Sequence, residues 1–227
     1  MRRTVSALVV AGLGAALLVG CGRAPAATGS SAPSVDPAYL LDQARANARG
    51  AEAVHVRGTG QCDLGSFVVD MDLRKDGLGA GSVQVAGQTI NLVATPDAVY
   101  LHGSRAFWLS QVSSGDAARI GARWVKVAKG ASPCLTALSD FSLVTANYLD
   151  YPGTPELLQG TSMLGTPARL VGLGPDVSIW VSSTGTLLPL NVHDVSTNTD
   201  ITWSGWGTKA EVVVPRDAVD GRTLADR

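Results

Sequence analysis

None of the side chains that could catalyse a reaction has the spacing of a catalytic motif. Its three histidines are His55, His102 and His193, and each falls in an alternating, strand-like segment. A hydrolase would need a nucleophile beside a base, and the chain has no G-x-S-x-G elbow. We therefore interpret the histidines as half-exposed strand residues, and we expect no catalytic residue.

Two other groups have a spacing that could serve an ion or a phosphate. Asp70 and Asp72 share one face of a predicted strand, about 7 Å apart, and could act as paired acids. A solvated outer face explains them better. Gly77, Gly79 and Gly81 follow a strand but open no helix, so sheet curvature explains them better than a phosphate cradle. Neither CxxC nor HExxH occurs, and we expect no metal and no cofactor.

The N-terminal residues have the pattern of an export signal. Arg2 and Arg3 form a basic start, and residues 4–19 carry no charge, a run short for a membrane span. The run ends in Leu18-Val19-Gly20-Cys21, which resembles the bacterial lipobox, where small residues precede a cysteine that is lipidated before cleavage. We predict a lipoprotein signal peptide over 1–20 and lipidation of Cys21. The alternative is an ordinary signal peptide with a chance cysteine.

The lipid would place the protein at the cell membrane, anchored on the extracytoplasmic face. Two or three acyl chains hold a protein stably on a membrane, and residues 21–35, rich in Ala, Pro, Ser and Thr, would be a flexible tether. Cleavage changes the net charge from −1 to −3, with 16 basic and 19 acidic residues left. Because basic residues are not in excess, we expect no nucleic-acid partner.

Cys62 and Cys134 are the cysteines of the expected mature chain. Outside the cytoplasm a pair of thiols usually forms a disulfide, and this one would close a loop of about 70 residues. Two free buried thiols, or half of a metal site, are the alternatives. We predict the disulfide.

The remaining pattern predicts helices and strands that would form one domain over 36–216, followed by a C-terminal tail over 217–227. Asp36 and Pro37 begin a helix, and Gly50 ends it. Short spacing between the strands favours antiparallel hairpins. Further helices are predicted at 107–112, 117–120 and 135–149, and strands at 67–74, 82–86, 89–94, 97–102, 124–127, 168–173, 177–182, 187–195, 200–203 and 211–214.

Apolar residues on three consecutive strands alternate so that they face one side of the sheet. They are either ordinary core or the lining of an apolar ligand cavity, and the alternation is the same in both cases. These residues are Phe67, Val69, Met71, Leu73, Val83, Val85, Ile90 and Leu92.

The order of the motifs resembles the LppX/LprG-type lipoproteins of mycobacteria and their actinobacterial relatives. The resemblance begins at the lipobox and spans most of the mature chain. It rests on Cys21, Val54-His55-Val56-Arg57-Gly58, Ala98-Val99-Tyr100-Leu101, Ala106-Phe107-Trp108, Arg123-Trp124-Val125-Lys126-Val127, Leu188-Pro189-Leu190 and Trp203-Ser204-Gly205-Trp206-Gly207.

This resemblance implies an α+β fold with a single, strongly curved antiparallel sheet, a LolA-like half-barrel with helices over the concave face. It also implies a non-enzymatic, monomeric protein that holds the acyl chains of a lipid or lipoglycan and moves them within the envelope, with an envelope transporter as a partner. Cys62 and Cys134 lie outside the family pattern and would join the helical cover to the sheet. The alternative function is a structural or regulatory lipoprotein that acts through protein–protein contacts.

Overall fold

A computed structural model describes residues 35–224. The predicted signal peptide, Cys21 and residues 21–34 of the expected tether lie outside this range. The chain divides after Ser34, and Val35–Arg227 is a compact unit. All the core residues that the structure describes lie in this unit, so we expect it to fold independently.

The first helix, α1 (Pro37–Gly50), has the start that its sequence predicts. The Asp36 side chain accepts a hydrogen bond from the Ala38 N–H at 3.0 Å, and Pro37 occupies the first turn. The apolar residues at helical spacing face the core and are buried, namely Leu40, Leu41, Ala44 and Ala48. The helix ends at Gly50, as expected.

Thirteen strands, four more α-helices and a short 3-10 helix (Gly221–Thr223) follow among the described residues. The strands are β1 (Ala53–Cys62), β2 (Gly65–Arg74), β3 (Gly79–Val85), β4 (Gln88–Ala94), β5 (Ala98–Gly103), β6 (Val125–Ala128), β7 (Glu156–Leu158), β8 (Ser162–Met163), β9 (Thr166–Gly172), β10 (Val177–Ser182), β11 (Pro189–Asp194), β12 (Thr199–Ser204) and β13 (Val219–Asp220). The helices are α2 (Arg105–Gln111), α3 (Ser114–Ile120), α4 (Pro133–Ser139) and α5 (Phe141–Leu149).

All the strands belong to one sheet, in the order β13-β6-β5-β4-β3-β2-β1-β12-β11-β10-β9-β7, with β8 paired to β9. Every pair is antiparallel except β6 with β13, which is parallel. The predicted α+β class with a single, mainly antiparallel sheet is therefore confirmed. Because β13 pairs with β6, the sheet extends past residue 216, the expected end of the domain.

Two predicted elements differ from the structure. The helix expected over 135–149 is two helices, because Asp140 adopts an extended backbone that ends α4, and its side chain accepts the N–H groups of Ser142 and Leu143 to begin α5. The prediction of a strand over 211–214 is wrong. This segment has irregular backbone, and Val212 packs on the sheet surface instead of joining a ladder.

The main core lies between the five helices and one face of the sheet, which we call the inner face. A small second cluster lies on the opposite, outer face, where Val212 and Ala218 cover Val93, Ala98 and Tyr100. The segment after β12 therefore crosses the outer face before it reaches β6. None of the helices between residues 35 and 224 has the length and hydropathy of a membrane span.

Candidate functional site

The paired aspartates lie on the outer face, beside His55 and Arg57. Nδ1 of His55 is 3.0 Å from a carboxylate oxygen of Asp72, and Nε2 of the same ring is 3.5 Å from Asp70. Arg57 donates two hydrogen bonds to Asp70, at 2.6 and 3.0 Å. All four side chains are partly exposed to solvent. This is an ion-pair network on a solvated sheet surface.

The other two histidines lie on different strands, apart from this network. His102 on β5 packs against the ring of Trp124, with 5.2 Å between the ring centroids. His193 on β11 lies 3.6 Å from Asp200, whose carboxylate also accepts a hydrogen bond from Asn191 at 2.6 Å. Each histidine therefore has a local partner on its own part of the sheet.

The glycines of the Gly77-x-Gly79-x-Gly81 motif serve the β2–β3 hairpin. Gly77 has φ +85°, a backbone conformation that disfavours other residues, and it lies in the turn against Pro96. A Cβ at Gly81 would collide with the backbone carbonyl of Asp70 on the neighbouring strand. Close strand packing therefore accounts for these positions, and no helix begins there.

The eight residues that could line a cavity all point to the inner face, where they are buried. Their exposed fractions are between 0 and 6 % for Phe67, Val69, Met71, Leu73, Val83, Val85, Ile90 and Leu92. Space beside them is also filled: a Cβ at Gly58 would lie 2.8 Å from the Ile201 side chain, and one at Gly60 would lie 2.7 Å from the Phe67 ring. Most of the inner face is therefore close-packed core in this structure.

An open pocket of about 310 Å³ remains at one end of the inner face. Val85 and Ile90, two of the eight predicted residues, contribute to its apolar wall together with Phe107 of α2, Leu135 of α4 and Leu64 of the β1–β2 turn. Polar side chains also line it, namely Asp63, Gln88, Ser110, Gln111 and Ser132. An apolar wall with a few polar groups is the usual composition of a small-molecule site.

Four chain segments that are far apart in the sequence form this pocket. They are the β1–β2 turn, the β3–β4 hairpin, helix α2 and the start of α4. From the sequence, Phe107 and Leu135 could be predicted only to be apolar residues within helices. Their periodicity was the available signal, but periodicity does not show which elements meet.

Cys62 and Cys134 form a disulfide, with 5.8 Å between their Cα atoms. The bond joins the end of β1 to the first turn of α4, so it connects the sheet to its helical cover. Among residues 35–224, the one group of Cys, His, Asp and Glu close enough to share a metal ion is Cys62, Asp63 and Cys134. Because the two sulfurs are bonded to each other, they are not available as thiolate ligands.

A partly buried ion pair holds the junction between α4 and α5. Lys129 Nζ lies 2.5 Å from the Asp140 carboxylate, which also accepts the backbone N–H groups of Ser142 and Leu143. Burial raises the pKa of Asp140, but the Lys129 and backbone hydrogen bonds outweigh it and leave the pKa below its usual value. The carboxylate is therefore charged at neutral pH.

Comparison with known proteins identifies a structural relative but no close sequence relative. No protein-family profile matches the chain, and no curated protein matches it in sequence. The crystal structure of LprF from Mycobacterium bovis superposes with a TM-score of 0.54 at 15 % sequence identity, covering 79 % of this chain and 96 % of that one. The chain therefore has an LprF-like fold, which confirms the fold expected from its resemblance to the LppX/LprG-type lipoproteins.

Proposed function

We propose that this protein is a membrane-anchored envelope lipoprotein that binds the acyl chains of a lipid or lipoglycan and carries it within the cell envelope. Cys21 would carry the anchor on the extracytoplasmic face, and no covalent chemistry is involved. The observation that supports the proposal most directly is the pocket at the end of the inner face, where apolar and polar side chains face the same space.

The composition of this pocket suits an amphiphile. Each methylene group that leaves water for an apolar site contributes about 0.8 kcal/mol, so the wall formed by Val85, Ile90 and Phe107 favours an acyl chain. Hydroxyl and amide groups such as those of Ser110 and Gln111 could bind a polar headgroup. With a volume of about 310 Å³, the pocket is at the small end of ligand sites, so a long chain would need the cover to move.

A second function is supported by a different observation. The inner face is mostly filled, and several large apolar residues are exposed at the far end of the sheet. Leu157 and Leu158 on the edge strand β7 are each 42 % exposed, and Leu164 beside β8 is 79 % exposed. An unpaired edge with exposed leucines suits a structural or regulatory lipoprotein that binds another protein.

A matched pair of substitutions on β3 tests the lipid proposal. Val85 lines the pocket, whereas its neighbour Gln84 points to the outer face and is exposed. In Val85→Trp the indole should occupy the pocket and abolish binding of the fluorescent fatty acid cis-parinaric acid, while Gln84→Trp should bind it like the unmodified protein. Equal binding by both variants would contradict the assignment of this pocket.

The identity of a natural ligand can be sought in the same preparations. The unit Val35–Arg227 would be expressed in an actinobacterial host, and its lipid extract would be analysed by mass spectrometry. We expect lipid with the unmodified protein and Gln84→Trp, and a loss of it with Val85→Trp. If no lipid accompanies any of them and none binds in solution, the protein-interaction function is favoured.

A further inference from the structure

We propose that the Cys62–Cys134 disulfide is a redox-controlled latch on the pocket, and that its reduction releases α4 and opens the inner face to an acyl chain. This inference rests on the proposed lipid-binding function and adds its regulation. Three features of the molecule support it: the position of the bond, the attachment of α4 and the packing beneath it.

The disulfide lies at the rim of the pocket. Cys62 is followed by Asp63 and Leu64, which line the pocket, and Cys134 lies between two other lining residues, Pro133 and Leu135. The bond therefore fixes the distance between two sides of the opening. Neither side can move away from the other while the two sulfurs are joined.

Among the described residues, helix α4 makes no hydrogen bond to the sheet, and the Lys129–Asp140 ion pair holds only the residue that follows its C-terminal end. In the part of the chain that the structure describes, the hydrogen bonds of Pro133–Ser139 stay within residues 130–140, as in Gly130 N–H to Thr136 Oγ1 at 3.0 Å. The N-cap bond from the Leu135 N–H to Ser132 is long, at 3.5 Å. With seven residues, α4 is too short to be stable by itself. After reduction, apolar contacts along the helix and the Lys129–Asp140 ion pair at its C-terminal end would hold it.

Those apolar contacts cover the buried part of the inner face. Leu135 and Leu138 of α4 are 5 % and 2 % exposed, and they belong to the same core cluster as Val85 and Ile90. If α4 moved outward, the pocket would become continuous with the face that carries Val83 and Leu92. With the disulfide intact, the pocket is too small for a long acyl chain. Outward movement of α4 would extend the pocket in the direction of the strands.

The chemistry is thiol–disulfide exchange with an extracytoplasmic dithiol oxidoreductase. Cys62 is half-buried, whereas Cys134 is 4 % exposed, so the attacking thiolate reaches the Cys62 sulfur. The S–S bond breaks, and Cys134 leaves as a thiolate that takes up a proton. The second thiol of the reductant then attacks the mixed disulfide and releases Cys62 as a thiol. Two electrons and two protons pass to the protein, and the reductant becomes a disulfide.

The test compares the oxidised unit Val35–Arg227 with the same protein reduced by dithiothreitol. Hydrogen exchange of the α4 amides should become faster by about tenfold or more on reduction, while the amides of α1 stay unchanged. The rate of cis-parinaric acid uptake should rise by a similar factor, and reoxidation should reverse both changes. Cys62→Ser/Cys134→Ser should behave like the reduced protein in oxidising buffer.

The outcomes separate the latch from the function on which it rests. If the fatty acid binds at the same rate in both redox states and α4 exchange is unchanged, the latch is refuted and the lipid-binding proposal stands. If the fatty acid binds in neither state, both proposals fail. Should the serine variant fail to fold, reversible reduction of the unmodified protein gives the same comparison, and uptake that does not change with reduction refutes the latch.

Discussion

Replacing Val69 with Trp asks whether the inner face is filled in solution as it is in the structure. Val69 is 0 % exposed in the middle of β2, and its partners in the sheet are Gly58 and Val83. The space over Gly58 is already occupied by Ile201. An indole at this position has no room unless its neighbours move.

The expected cost follows from overpacking. Extra atoms in a close-packed core usually lower the free energy of unfolding by about 1–3 kcal/mol. We expect about 2–3 kcal/mol here, because the backbones of β1 and β3 cannot move away from Val69 without breaking their hydrogen bonds to β2. For a domain of this size, each kcal/mol lost from the free energy of unfolding lowers the melting temperature by about 2–4 °C. The melting temperature should therefore fall by about 4–12 °C.

Urea unfolding of Val69→Trp and its neighbour variant Val68→Trp measures this cost. Val68 is 44 % exposed on the outer face, so an indole there should change the free energy of unfolding by no more than about 0.5 kcal/mol. The slope m, by which the free energy of unfolding falls with urea concentration, should be the same for both variants. An equal slope would show that unfolding exposes the same amount of surface. If Val69→Trp is as stable as Val68→Trp and has lost bound fatty acid, the inner face is open in solution and the reasoning from close packing is refuted.

Three further predictions concern charge and maturation. Asp140→Ala should cost about 1–2 kcal/mol at neutral pH through the lost N-cap. Because the pKa of Asp140 is lowered in the folded protein, this difference from the unmodified protein should shrink as urea titrations are moved from neutral to acidic pH. Burial and the Asp194 carboxylate raise the pKa of Tyr151 to about 12, so stability should fall as pH rises from 10 towards 12, and Tyr151→Phe should reduce that fall in melts. Cys21→Ala should accumulate as an uncleaved precursor without metabolic lipid label, and normal labelling would disprove the predicted anchor.

The parts of the fold that could be predicted from sequence are those specified by local chemistry. The cap at Asp36 and the turn at Asp76-Gly77 act within a few residues, and the alternation over β2 shows which side chains share a face. The errors occurred where local and tertiary preferences differ. Residues 211–214 include three consecutive valines, a composition typical of strands, but the segment packs across the outer face instead.

The site could be predicted only in part, because a pocket is defined by the space between elements. Alternation placed Val85 and Ile90 on the inner face, and both line the pocket. It also placed Val69 and Met71 there, and these lie in the filled core and do not line the pocket. The two pairs have the same sequence pattern. What separates them is their distance from the end of the sheet, where the helical cover stops, and that distance is a property of the tertiary structure.

The disulfide connects this local information with the tertiary structure. Two cysteines in an exported chain predict a bond from their compartment alone, but not which parts of the fold they join. In the structure they join the end of β1 to α4, beside the pocket at the end of the inner face. A bond placed only for stability could cross the filled core equally well. The Cys62–Cys134 bond lies at the opening, beside a short helix whose own described residues, Pro133–Ser139, make no hydrogen bond to the sheet, and this is the reason to expect that it controls access as well as stability.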